Sequence, residues 1–260
     1  MFNKSPLRYP GGKSKACKIL HEILKTHFDL NDFKNIISPF FGGGSFEFFL
    51  QNTYDLNIVA NDKFTPLYNF WSICKNQNSE LCAELYKYID NVSKNDFTQF
   101  RSDILSKTDF DQAVLFFIIN RCSFSGSTLS GGFSSESSKK RFTTSSIDRI
   151  KQLNLSNFNI SNQDFQVFLN ENIDTNSFIF LDPPYFLEKS NLYGNNGDLH
   201  EKFDHSALFN SIYNKKNWLM TYNNCDYIKN LYKDFIIIET DWNYSMNKSK
   251  KSSEIVIISL

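Results

Sequence analysis

Apolar positions along the chain follow two alternating rhythms. Between Ser14 and Phe28, the residues Cys17, Ile19, Leu20, Ile23, Leu24 and Phe28 recur at helical spacing, with Ser14 placed to cap the start. A short apolar run from Asn35 to Phe41 closes on Gly42-Gly43-Gly44, and Ser45 to Leu50 resumes with helical content. Leu56 to Ala60 reads as a second strand ending in Asn61-Asp62, about 20 residues past the glycine turn. Strand, glycine turn, helix and strand form half of a nucleotide-binding crossover unit.

From Phe64 to Asn120 the pattern is helical, with no good strand. Arg121 to Ser146 is Ser/Gly-rich and too long for an idle connection, which predicts a binding loop. After Ser146 strands and helices alternate again, through NFNISN, SFIFLDPPY and WLMTY to the closing pair FIIIETDW and SEIVIISL. That alternation predicts a mostly parallel α/β sheet, and the short Lys/Ser-rich link before the last strand suits an antiparallel hairpin at a sheet edge. The expected organisation is a Rossmann-like domain built from residues 1–63 and 147–260, with a helical unit, 64–146, inserted.

Composition narrows the class without choosing the partner. Lys+Arg and Asp+Glu both number 28, so only local clusters such as Lys139-Lys140-Arg141 and Lys248 to Lys251 lean basic. The 5 cysteines are scattered, without CxxC or Cys/His clustering, which supports neither a disulfide framework nor a zinc site and fits an intracellular setting. No run approaches the roughly 20 apolar residues that span a bilayer, so a soluble protein without membrane contact is expected. Aromatic residues reach 16%, with 27 Phe, enough for a core with some left for stacking on bases.

The tetrapeptide Asp182-Pro183-Pro184-Tyr185 follows the buried run Phe178 to Leu181, at the sheet edge where open α/β sheets bind ligands. An exocyclic amine on a nucleobase is a poor nucleophile because its lone pair is delocalised into the ring. The Asp182 carboxylate and the Pro183 carbonyl can accept its N–H bonds and return density to nitrogen. Both prolines withhold N–H donors, and Tyr185 offers a ring for a displaced base to stack on. A plain strand-terminating turn has the same composition. In Phe40-Phe41-Gly42-Gly43-Gly44-Ser45 the glycines admit close approach of an uncharged or cationic ligand such as S-adenosyl-L-methionine, or simply make a tight connection. Asp62 stands where a ribose diol is held, or where a helix is capped. Tyr9-Pro10-Gly11-Gly12-Lys13 lacks the first glycine of a phosphate loop and alone suits a helix-entry turn with a solvated lysine.

Taken in order, LRYPGGK, PFFGGGS, ANDKF, the loop opened by Asn120-Arg121, and DPPY resemble the Dam-type (D12 class) family of adenine-N6 DNA methyltransferases over essentially the whole chain. The resemblance implies an α/β class I methyltransferase fold with a helical target-recognition subdomain. It implies S-adenosyl-L-methionine as cofactor, contacted or bordered by Tyr9, Lys13, Asp62 and Asp182; the glycine turn adds Phe40, Phe41, Gly42, Gly44 and Ser45. Double-stranded DNA is the implied partner, with Phe124 as a wedge in the duplex and Ser125 facing base edges. On physical grounds Arg121, Lys139, Lys140 and Arg141 can neutralise phosphates, and the Ser123 hydroxyl can donate or accept at a base edge. A solvated, flexible loop with a capping arginine is the plainer reading of that segment. Trp242 and Tyr244 could touch DNA or cap the core.

The expected reaction is methyl transfer to N6 of an adenine flipped from a short duplex sequence, by direct displacement and without metal. Transfer to cytosine N4 and a non-catalytic DNA- or cofactor-binding module are the alternatives. A restriction endonuclease sharing the site is a candidate partner, and a monomer is the default. Two features depart from the family: the acid that often precedes Pro-Phe in the glycine motif is Ser38 here, which bears on how the methionine end or amino group of the cofactor is held, and the loop is serine-rich where other members carry other residues, so their target sequence does not transfer.

Overall fold

A computed structural model describes residues 2–9, 12–186, 203–242 and 252–259. Its frame is a sheet of seven strands: β1 (Asn35–Ser38), β2 (Asn57–Asn61), β3 (Phe158–Ser161), β4 (Ser177–Leu181), β5 (Trp218–Asn223), β6 (Ile236–Trp242) and β7 (Ser252–Ser259). They lie in the order β3-β2-β1-β4-β5-β7-β6. The first five are parallel, with Ile37 registered against Val59 on one side and Ile179 on the other. β7 runs antiparallel to both β5 and β6 and lies between them.

The sheet is buried on both faces, so its strands read as continuous apolar runs whose alternate residues serve two cores. Ile36, Phe178, Phe180, Leu219 and Val256 face α1 (Cys17–Lys25) and α2 (Ser45–Tyr54). Ile37, Ile179, Leu181, Met220 and Ile257 face the other way, toward α9 (Phe165–Asn172), α10 (His205–Ile212) and α11 (Asp226–Leu231). This is the mostly parallel α/β arrangement of a class I methyltransferase. Strand order reverses between β1 and β4, which opens a crevice at their C-terminal ends.

Between β2 and β3 the chain makes α3 (Thr65–Asn76), α4 (Asn78–Tyr86), α5 (Lys94–Asp103), α6 (Asp109–Cys122), α7 (Ser135–Lys140) and α8 (Thr144–Lys151). Every residue of α6 from Gln112 to Cys122 is buried, the mark of a helix at the centre of its bundle. One continuous core joins these helices to the sheet, running from Phe117 and Trp71 to Phe41, Ile58 and Phe158.

Two expectations need adjustment. Ser14 does not cap α1; a 3-10 turn over Lys13–Lys15 precedes it and the residue at the cap position is Ala16. The Ser/Gly-rich segment is folded rather than a free loop. It holds two 3-10 turns, Phe124–Gly126 and Thr128–Ser130, a bridge between Ser123 and Phe133, and α7. Asn120 ties it to the N-terminal segment by accepting from the Arg8 N–H at 3.0 Å and donating to the Arg8 carbonyl at 2.7 Å.

Candidate active site

The glycine turn is shaped from the helical side. Gly42 and Gly44 sit at φ +51° and +64°, and a Cβ on Gly44 would come within 2.3 Å of the Phe41 ring. That ring is buried against Trp71 and Phe158, with centroids 5.3 and 5.2 Å away. The Trp71 indole N–H donates to the Gly42 carbonyl at 2.9 Å, so α3 pins the turn from beneath. Asp62, one residue past β2, accepts from the Gly42 N–H and the Phe64 N–H, both at 2.9 Å. Burial raises its carboxyl to about 6 even though both bonds favour the ionised form.

Across the crevice, Asp182 leaves the end of β4. Lys13 Nζ donates to Oδ1 at 2.8 Å and to Oδ2 at 2.9 Å, and the Thr221 hydroxyl on β5 donates to Oδ1 at 2.6 Å. A carboxylate offers about two acceptor sites per oxygen. Oδ1 is therefore filled, while Oδ2 keeps one site for a further donor. Lys13 itself is buried, so the lysine read as a solvated side chain in the plainer alternative is instead the buried partner of the tetrapeptide aspartate.

Pro183 is buried, and Tyr185 is fixed at both ends. Its hydroxyl donates to Glu254 of β7 at 2.7 Å, its ring stacks on Tyr222 at 5.9 Å, and Lys13 Nζ stands 5.1 Å from its centroid. Tyr222 is in turn hydrogen-bonded through its hydroxyl to His205.

The glycine turn and the tetrapeptide wall one cavity of about 440 Å³. All the residues expected at the cofactor border it: Tyr9, Lys13, Phe40, Phe41, Gly42, Gly44, Ser45, Asp62 and Asp182. Pro183, Pro184 and Tyr185 line it as well. Pro10 and Gly11 of the N-terminal motif lie outside the described residues, as do the Trp242 side chain, Tyr244 and Lys248 to Lys251.

The residues expected at DNA divide into two groups. Phe124 is 69% exposed and Ser125 beside it is half-buried, at φ +57°. Lys139 and Arg141 are exposed, whereas Lys140 is ion-paired with Glu136 at 3.0 Å. Arg121 and Ser123 are turned inward, contrary to the surface position expected of them, because α6 is buried on every side. The Arg121 guanidinium donates to the carbonyls of Arg141 at 2.7 Å and Pro6 at 3.2 Å. The Ser123 hydroxyl donates to Asn120 O and accepts from the Thr128 N–H, each at 3.2 Å. Burial, together with Arg8, Arg149 and Arg141 nearby, pulls the Arg121 guanidinium down to about 10.

Sequence reading did not single out Thr221, Trp71, Glu254 or Glu47. Thr221 and Glu254 sit near strand ends where polar residues are ordinary, and what each faces depends on strand order and register. Glu47 is different: a lone acid in the aromatic run Phe46-Glu47-Phe48-Phe49 is a visible anomaly.

Comparison with known proteins identifies the family. Residues 9–246 match the family model of D12 class N6 adenine-specific DNA methyltransferases. The chain is 25% identical over 198 residues to the Type II methyltransferase M.MjaIII of Methanocaldococcus jannaschii, covering 69% of this chain and 68% of that one. It is 24% identical over 249 residues to the Type II methyltransferase M.CviBI of Paramecium bursaria Chlorella virus NC1A, covering 93% and 91%. With the family match running through the N-terminal lysine, the glycine turn and the Asp-Pro-Pro-Tyr turn alike, this chain belongs to the D12 class of N6 adenine-specific DNA methyltransferases.

Proposed function

We propose that the protein transfers a methyl group from S-adenosyl-L-methionine to N6 of an adenine flipped out of a short duplex recognition sequence. The observation that carries this reading is Asp182: its carboxylate is held by Lys13 and Thr221 at the crevice and retains an acceptor site on Oδ2. The residues present suit the cofactor. Asp62 offers carboxylate oxygens for a ribose diol, and the left-handed glycines let the turn pass close against the Phe41 and Tyr9 rings at the cavity wall.

When bound, S-adenosyl-L-methionine supplies an electrophilic methyl group. Asp182 Oδ2 and the Pro183 carbonyl accept the N6–H bonds and restore electron density to the attacking nitrogen. Lys13 and Thr221 fix the carboxylate, so little reorganisation accompanies the reaction. Tyr185, anchored by Glu254 and Tyr222, forms the wall on which the displaced base stacks. The surplus proton leaves after transfer, through Asp182 or water.

Residues 1–63 and 147–260 form the catalytic part, and 64–146 carry target recognition. Phe124 acts as the wedge in the duplex, Ser125 faces base edges, and Lys139, Lys140 and Arg141 meet phosphates. A restriction endonuclease sharing the site is the expected partner, and a monomer the acting form.

The test is to incubate the protein with unmethylated genomic DNA and the cofactor, quantify modified nucleosides by mass spectrometry and locate them by single-molecule sequencing. N6-methyladenine at one recurrent motif is expected. Cofactor and DNA binding without any modified nucleoside would overturn the reading in favour of a non-catalytic module.

A further inference from the structure

Glu47 is an unexplained charge. It stands in the first turn of α2 with 2% of its surface exposed, and it lines the cavity. The Ser38 hydroxyl donates to Oε1 at 2.6 Å, and the backbone N–H of Glu47 itself is its other donor. A buried carboxylate whose donors are both neutral is poorly compensated, and its carboxyl is pushed up to about 7, chiefly by burial. The nearest cation, Lys13, is committed to Asp182. The Cys17 thiol close by is raised to about 12 and so stays neutral.

The position of this carboxylate matters because of Ser38. The strand–turn–helix fold brings residue 47 back onto residue 38, nine positions earlier, at the mouth of β1. Glu47 Oε1 lies one hydrogen-bond length from the end of the Ser38 side chain, the position at which the sequence lacks an acid before Pro39-Phe40. The cavity wall next to Ser38 therefore holds a carboxyl group, delivered from the helix instead of the strand. Ser38 acts as the spacer that orients it.

We infer that Glu47 is the binding residue for the α-ammonium group of the cofactor's amino-acid moiety, in place of an acid at position 38. This rests on the cofactor reading above. The ammonium brings a positive charge and donors directly to the carboxylate, which Ser38 cannot supply because it is neutral, while the Lys13 ammonium is bonded to Asp182.

The test separates the two ligand halves by calorimetric titration of wild type, Glu47→Gln and the double variant Glu47→Gln/Ser38→Asp. The probes are S-adenosyl-L-homocysteine, which carries the amino-acid moiety, and 5′-methylthioadenosine, which lacks it. Glu47→Gln is expected to weaken S-adenosyl-L-homocysteine by roughly 10- to 100-fold, as for loss of a charge-assisted hydrogen bond. Its binding of 5′-methylthioadenosine stays within about twofold, and Ser38→Asp restores much of the lost affinity. Unchanged S-adenosyl-L-homocysteine affinity in Glu47→Gln overturns the inference and leaves the cofactor reading intact. Equal loss of both ligands assigns Glu47 to the shape of the pocket and overturns the inference too. Failure of the wild type to bind either probe sinks the cofactor reading on which it rests.

Discussion

Glu47 should leave a signature in stability that needs no ligand at all. Its carboxyl is raised from 4.5 to about 7, with burial as the main cause; the Ser38 hydroxyl, its own backbone N–H and Lys13 oppose the rise and Asp182 adds to it. An acid whose pKa is higher folded than unfolded binds more protons in the native state between those two values, so stability falls as pH rises through that window. Each pH unit is worth about 1.4 kcal/mol, giving a loss of about 3 kcal/mol from below pH 4.5 to above pH 7. Glu47→Gln keeps an acceptor for Ser38 and cannot ionise. The comparison is urea unfolding of wild type and Glu47→Gln at several pH values from 4 to 8, on protein freed of nucleosides. Other titrating groups, Asp62 included, cancel in the difference between the two. The stability of wild type relative to the variant should drop by about 3 kcal/mol across the range, or roughly 1 M in urea midpoint for an m-value near 3 kcal/mol/M. A difference that stays flat within about 0.5 kcal/mol would refute the argument, because it would mean that Glu47 is as well solvated folded as unfolded.

Three further outcomes follow from the geometry. Asp182→Asn should lower kcat by about 10²- to 10³-fold with cofactor affinity changed less than about threefold, since one oxygen that accepts from the amine is replaced by a donor; single-turnover kinetics beside equilibrium binding would separate the two. Gly44→Ala should destabilise by about 2–4 kcal/mol, combining the left-handed conformation with the clash on Phe41, whereas Gly132→Ala, with nothing within 4 Å, should be near neutral by thermal melting. Phe124→Ala should leave stability within about 0.5 kcal/mol because the ring is exposed, yet lower kcat/KM on a paired target and recover on a duplex with the target adenine mispaired.

The alternation of short apolar runs with helical segments determined the α/β class, the number of strands after Ser146 and the placement of both motifs at strand ends, because strand and helix periods are local properties. Motif identity also determined which residues gather at the cavity: Tyr9, Lys13, the glycine turn, Asp62 and Asp182 all border it. The sequence did not determine what those residues do to one another. Lys13 and Asp182 are 169 positions apart, and only the placement of the turn before α1 beside the end of β4 makes them a buried pair. Nor could local pattern place β7 between β5 and β6, since either hairpin strand satisfies the same apolar alternation. The Ser/Gly-rich segment misled for a related reason: its composition is that of a solvated loop, but Asn120 and Arg121 on the buried stretch of α6 bind its backbone and that of the N-terminal segment, turning Arg121 and Ser123 inward. Ser38 and Glu47 complete the contrast, for the missing acid is evident along the chain, whereas the carboxylate that reaches the same corner is brought there by the fold.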